Sequence, residues 1–265
     1  MSAASYGVTG TGQPVLVATD ITKRFSGINA LTDVSIEVGS GELVALIGPN
    51  GAGKTTFFNC LLGVLRSDRG EVHFCGRQID GMTSHARARL GMARTFQRLE
   101  LFGGMSVREH LWVAARSRSS RGSLVQDLIG RSQPTADENE RVDATLELLG
   151  LTAIADKPAE SLSLGRGRVV ELGRALMCEP TLLFLDEPSS GLDTSETNDM
   201  GEVLLTVQAE RRTSILLVEH DVPMVRRLAE RTYVLDCGMT IAEGPTAEVL
   251  DSDLVRAAYI GTPVI

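Results

Sequence analysis

The sequence predicts an α/β domain built on a mostly parallel sheet with helices on its faces, and two observations carry that prediction. Short apolar runs at 43–47, 181–185, 215–218 and 233–235 alternate with stretches of helical periodicity at 57–62, 169–177 and 196–212 and a further helix through Arg227. Repeated strand and helix imply strands joined by crossover helices. The first apolar run leads into Gly48-Pro49-Asn50-Gly51-Ala52-Gly53-Lys54-Thr55-Thr56, a glycine-rich loop in a strand-loop-helix setting. That spacing is the G-x-x-x-x-G-K-[ST] pattern of a phosphate-binding loop.

The glycines let the backbone turn tightly and bring several N–H groups towards one point, where the positive end of the next helix converges. Lys54 is placed to reach the β- and γ-phosphates of a nucleotide, and the Thr55 hydroxyl to take one position on Mg²⁺.

The chain of 265 residues can bury a sizeable core, and its hydrophobic content of 43% is ordinary for a globular protein. With 34 acidic residues against 26 basic ones and a formal net charge of −8, the whole chain is not built to cover a nucleic-acid backbone. No apolar run approaches the roughly 20 residues of a membrane-spanning helix. Residues 1–13 are expected to be flexible, without the pattern of a secretory signal, and 14–265 to form the domain. The four cysteines, at 60, 75, 178 and 237, form no C-x-x-C pair and read as reduced, mostly buried small hydrophobes.

Along the chain, Val15-Leu16-Val17, Ile21 and the alternating Asp33-Val34-Ser35-Ile36-Glu37-Val38 have strand character. Phe25, upstream of the phosphate loop, reads as a core aromatic or as a ring that stacks on a nucleotide base, the core reading being the more usual. In the strand at 70–76, Val72 and Phe74 face inward, while Glu71 and His73 face outward. A polar, arginine-rich helix follows around 84–90, then Gln97. Ser106-Val107-Arg108-Glu109 has the spacing of a capping box opening a helix. The serine- and arginine-rich stretch 116–134 reads as a loop, and 136–149 as a helix with Val142, Leu146 and Leu149 on one stripe. The segment from about 100 to 165 is thus expected to be a helical insertion.

Ligands of parallel sheets gather at the carboxyl ends of strands. The run at 181–185 ends in Asp186-Glu187-Pro188, and the run at 215–218 in Glu219-His220-Asp221. Beside a phosphate loop, Asp186 is suited to partner Mg²⁺, usually through water, and Glu187 to polarise an attacking water. His220 can hold a γ-phosphate by a hydrogen bond.

Ser161-Leu162-Ser163-Leu164-Gly165-Arg166-Gly167-Arg168 resembles the signature loop of ATP-binding cassette (ABC) ATPases, usually Leu-Ser-x-Gly-Gln. Ser189-Ser190-Gly191-Leu192-Asp193 resembles that family's D-loop, Gln97 its Q-loop glutamine, His220 its switch histidine and Phe25 its base-stacking aromatic. The resemblance implies a RecA-like mixed sheet core with an N-terminal antiparallel β subdomain, ATP and Mg²⁺ as ligands, and a head-to-tail dimer. Each ATP is then held by one subunit's phosphate loop, residues Gly48 to Thr56, and capped by Ser163 and Gly165 of the other. Thr55, Gln97 and Asp186 serve the metal, and Glu187, Gln97 and His220 the hydrolysis; Asp193 of the D-loop, with Phe25, binds the nucleotide at the interface. Arg166 departs from the usual Gln.

A narrower resemblance lies in Arg94-Thr95-Phe96-Gln97-Arg98-Leu99-Glu100-Leu101-Phe102, in the insertion after Ser106 and in the tail from Ile241 to Gly261. These look like ATP-binding subunits of branched-chain amino-acid importers, a subfamily that includes urea and amide importers. Membrane permeases, a second cassette (a related subunit or another copy) and an external solute-binding protein are the implied partners, at the cytoplasmic face of the membrane. A soluble, non-transport ABC ATPase is the reading of another class, disfavoured by the single cassette and the acidic balance.

Overall fold

The computed structural model describes residues 13–95, 99–118 and 134–260. Two sheets organise them. A six-stranded sheet runs in the order β10 (Met239–Pro245), β9 (Arg231–Asp236), β3 (Leu43–Ile47), β8 (Ser214–Val218), β7 (Leu182–Asp186), β6 (Met92–Arg94). Its pairs are parallel except β9 with β10, which is an antiparallel hairpin. A four-stranded antiparallel sheet has the order β2 (Ile28–Val38), β1 (Leu16–Phe25), β4 (Arg69–Phe74), β5 (Arg77–Gln78).

The central parallel strands β3, β7 and β8 are buried along their whole length and almost wholly apolar, because both faces of their sheet are covered. Leu43, Ala45, Ile47, Leu183, Leu185, Ile215 and Leu217 join one core with the helices α3 (Val107–Arg118), α4 (Ala136–Leu148), α5 (Leu164–Leu176) and α6 (Thr194–Arg211). The alternate residues Val44, Leu46, Leu182, Phe184, Leu216 and Val218 join a second core with the antiparallel sheet and the helix that follows β3, α1 (Lys54–Leu61). There Phe58 meets Phe184 edge to face, with ring centroids 5.1 Å apart. Val72 and Phe74 are buried in the second core as their alternation requires.

Three hairpins close on an X-Gly pair with positive φ at both residues, the geometry of the type I′ turn. They are Ser26-Gly27 between β1 and β2, Cys75-Gly76 between β4 and β5, and Cys237-Gly238 between β9 and β10. This corrects the expectation for the cysteines. Cys60 is buried, but Cys75 and Cys237 are exposed and Cys178 lies between, because a turn residue with φ near +50° has no sheet face to bury against.

The Ser106–Glu109 capping box is present: each residue's backbone N–H donates to the other's side chain. A second box, Thr135 with Glu138, opens α4. The helix α2 (Ser84–Arg89) is polar, yet its Arg87 is 3% exposed. Arg87 Nη1 donates to the Cys60 and Leu61 carbonyls at 3.0 and 2.6 Å, at the end of α1 where carbonyls run out of intrahelical partners; the Cys60 carbonyl also accepts from Gly63 N–H. The loop expected at 116–134 falls mostly outside the described residues.

Candidate functional site

In the parallel ladder Leu46 lies opposite Val218, and Val218 opposite Asp186. The residues that follow these three, at 47–48, 187 and 219, therefore emerge side by side at one edge of the sheet. The next strand ends there too, because Arg94 pairs with Phe184. Strand register alone thus gathers the phosphate loop, the Asp186-Glu187 pair and the Glu219-His220-Asp221 turn.

The loop needs Gly48. Its φ is +152°, and a Cβ there would lie 2.1 Å from the Leu235 carbonyl oxygen. The loop is pinned from outside by Gly238, whose N–H donates to the Ala52 carbonyl at 2.9 Å and whose carbonyl accepts from Thr32 N–H. The N-cap of α1 is Gly53, with no side-chain cap, which leaves the first amides of the helix to an anion. Lys54 is buried, and its Nζ donates to the Gly48 and Pro49 carbonyls at 2.7 and 3.1 Å. Burial pulls the Lys54 pKa below the usual lysine value, against the pull of Glu187 and Asp186.

Asp186, the last residue of β7, is 4% exposed. Burial raises its pKa above the ordinary aspartate value; Arg94, 3.6 Å away, opposes the shift and Glu187 adds to it. Glu187 has φ +49°, a left-handed backbone costly for a residue with a Cβ. Its N–H donates to the Val218 carbonyl at 2.9 Å and its carbonyl accepts from Ser190 N–H at 3.0 Å. These bonds hold the turn in its strained form, so the half-buried side chain leaves the sheet edge in one direction.

Glu219, which the sequence reading gave no role, organises this edge. It is wholly buried. One carboxylate oxygen accepts from Ser189 N–H at 2.9 Å; the other accepts from His220 N–H at 2.9 Å and Asp221 N–H at 3.3 Å. His220 is exposed, its Nδ1 3.6 Å from the same carboxylate. No sequence motif signals Glu219, because all three donors are backbone groups.

Phe25 ends β1 at the tip of the first hairpin and is 44% exposed, so the core reading is corrected: a turn directly after it removes the second layer that would cover the ring. Lys23 Nζ lies 5.4 Å from the ring centroid. Gln97 lies outside the described residues. The chain on either side is anchored, by Thr95 N–H to the Phe184 carbonyl and by Glu100 N–H to Glu171.

Ser163, Gly165 and Asp193 gather at a second place, around the start of α6. Ser163 caps α5 by accepting from Arg166 N–H at 3.4 Å, and Asp193 caps α6 by accepting from Glu196 N–H at 2.8 Å. The buried Gly165 donates its N–H to Glu196 Oε1 at 3.3 Å. A cavity of about 490 Å³ opens beside them, lined by Ser163, Gly165 and Arg166 on one side and by α6 on another.

Comparison with known proteins agrees with this arrangement. Residues 31–190 match the family described as ABC transporter. The chain is 36% identical over 252 residues to the "High-affinity branched-chain amino acid transport ATP-binding protein LivG" of Salmonella typhimurium, a match that covers 94% of this chain and 98% of that one. It is 34% identical to the corresponding protein BraF of Pseudomonas aeruginosa, with the same coverage. Among solved structures, the ADP conformation of MJ1267, an ATP-binding cassette of an ABC transporter, superposes with a TM-score of 0.82 at 32% identity, covering 94% of this chain and 100% of that one. A nucleotide-free cassette from an ABC transporter gives 0.79 at 30% identity, with the same coverage of both chains. The chain belongs to the ABC transporter family, as its ATP-binding and ATP-hydrolysing cassette.

Proposed function

We propose that this cassette energises the import of branched-chain amino acids. In this reading it closes head to tail on a second cassette, a related subunit or another copy, around two Mg²⁺·ATP, and drives permeases at the cytoplasmic face of the membrane. The observation that carries the ATPase half is the shared sheet edge that gathers Lys54, Asp186, Glu187 and His220. The solute is taken from LivG and BraF, which this chain matches over 98% of their length.

In this reading Lys54 gives up the Gly48 and Pro49 carbonyls for the β- and γ-phosphate oxygens, which the amides at the start of α1 also cradle. Phe25, exposed at the hairpin tip, stacks on the base. The residues fit Mg²⁺: the Thr55 hydroxyl stands exposed on the first turn of α1, and the buried Asp186 carboxylate is a second hard oxygen donor. Among the described residues no group of three or more His, Cys, Asp or Glu stands ready to hold a metal, so phosphate and water would fill the remaining positions. Bound Mg²⁺ neutralises charge on the β- and γ-phosphates.

Glu187 orients and polarises a water that attacks the γ-phosphorus; the bond to the β-phosphate oxygen breaks, and ADP and phosphate leave. His220 holds the γ-phosphate by a hydrogen bond. Ser163 and the Gly165 N–H of the other subunit cap it, with Asp193 at the interface. Gln97 links metal or water to the groove where a permease docks. The chain acts from outside the bilayer in this reading, and among its described residues no helix is long and apolar enough to cross a membrane.

The test is purification of the tagged protein from its own cells in mild detergent, with identification of what co-elutes. Permeases, a second cassette and a binding protein for branched-chain amino acids are expected. A binding protein for urea or amides would move the solute, and recovery with ribosomes or DNA would overturn the importer reading.

A further inference from the structure

The Gly165 N–H, assigned above to the γ-phosphate of a nucleotide on the other subunit, is already taken within its own chain. Glu196 Oε1 accepts it at 3.3 Å. The approach is close enough that a Cβ at position 165 would lie 2.9 Å from the Glu196 carboxyl carbon and oxygen. A carboxylate at the first turn of a helix is in the place an anion prefers, and one amide hydrogen does not serve two anions at full strength. Ser163 Oγ accepts from Arg166 N–H, a cap that leaves its own hydroxyl hydrogen to donate, so the Gly165 amide is the donor that Glu196 holds.

Glu196 has a way out. It lines the cavity of about 490 Å³ together with Glu147, Asp199, Glu202 and Arg166, and Arg166 is the one cation among the described lining residues. A carboxylate leaving Gly165 would be repelled by Glu147 and Asp199, Glu202 being paired with Arg227 at 3.4 Å, and drawn to Arg166, which extends from the same turn of α5. Position 166 is where this chain departs from the usual signature sequence.

We infer that Glu196 is a positioning residue that guards the signature loop: its carboxylate stands in for phosphate at the Gly165 amide in the separate subunit and yields to the γ-phosphate of the partner's ATP when the pair closes, moving towards Arg166. The guard rests on the signature-loop reading given above. It makes closure conditional on an anion that outcompetes Glu196, so a nucleotide without the γ-phosphate leaves the loop occupied. This is differential binding of ATP to one of two states.

The experiment follows pairing as MgATP is raised, by sedimentation, in protein carrying Glu187→Gln and supplied with the second cassette it co-purifies with. Adding Glu196→Gln keeps the shape and an acceptor but removes the charge. The ATP concentration at the midpoint of pairing is expected to fall by roughly two- to fivefold, the effect of one charge near a helix N-terminus, with ADP affinity of the separate subunit unchanged. Glu196→Ala shifts the midpoint the same way if the Gln variant folds poorly. An unchanged or higher midpoint in folded protein overturns the guard. Ser163→Arg separates the two readings: if it leaves pairing intact, the signature-loop assignment itself falls. If it blocks pairing while Glu196→Gln shifts nothing, that assignment stands and the guard alone is wrong.

Discussion

Glu219 accepts the Ser189 amide at 2.9 Å from within a wholly buried position, and so ties the turn after Glu187 to the strand end that carries His220. Its other oxygen takes the His220 and Asp221 amides. Removing the carboxylate leaves the buried Ser189 donor without an acceptor, at about 1–3 kcal/mol, and two partly buried donors, the His220 and Asp221 amides, at less each. Glu219→Ala is therefore expected to lower the free energy of unfolding by at least ~2 kcal/mol in urea titrations. ATP turnover should fall with it, because the Glu187 turn and His220 lose their common anchor. Glu219→Gln, which keeps an acceptor, should lose less of both.

Lys54 is held by two loop carbonyls in a buried place where its charge is disfavoured. An ammonium kept there at a cost to the nucleotide-free protein has its return in phosphate binding. Lys54→Ala should weaken ATP binding at least ~10-fold, about 1.4 kcal/mol, while leaving the stability of the nucleotide-free protein unchanged or raised. Calorimetric titration with ATP and thermal unfolding without it check both halves.

Glu187 carries backbone strain at φ +49°. Glycine relieves a left-handed strain of roughly 1–2 kcal/mol and gives back about 0.4–1 kcal/mol in unfolded-chain entropy, so Glu187→Gly is expected to raise stability by up to about 1 kcal/mol net while abolishing turnover. Opposite signs for stability and activity mark a residue retained for chemistry. A loss of stability would remove the strain argument.

His110 is buried. Its Nε2 accepts Phe102 N–H at 2.8 Å, and its Nδ1 lies 2.8 Å from the Ser106 carbonyl, which requires the neutral ring. Burial is the largest cause holding its pKa below 6.5; Arg174 adds to this, while the Ser106 carbonyl and the charges of Glu109 and Glu160 oppose it. The folded state therefore binds this proton less readily than the unfolded chain. Stability should be intact above pH 6.5 and decline as pH falls through 6.5 towards the lowered folded value, where the loss is complete. His110→Gln should decline less over that window. Thermal midpoints at several pH values test this, and a His110 ring resonance titrating at or above 6.5 would contradict it.

How much of this was legible beforehand depends on what carried each feature. Lys54, Asp186, Glu187 and His220 could be placed together from sequence because they follow apolar strands, and in-register parallel strands end at one edge. Glu219 and Arg87 could not, since their partners are backbone groups of distant residues. Arg87 read only as one residue of a polar, arginine-rich helix. The first hairpin was only half visible: register shifts between Ala18 and Arg24, with positive φ at Asp20 and Asp33, break its period-two alternation. Glu196 had no signal beyond its spacing from Asp193, because its meaning depends on the fold bringing α6 against the start of α5.

Whether Glu187 activates the attacking water is decided by single-turnover phosphate release. The assembled complex, loaded with γ-labelled Mg²⁺·ATP, is compared as wild type and as Glu187→Gln. The wild-type complex is expected to release labelled phosphate, whereas the variant binds ATP with similar affinity and retains it intact. Release from the variant at the wild-type rate would contradict the assignment.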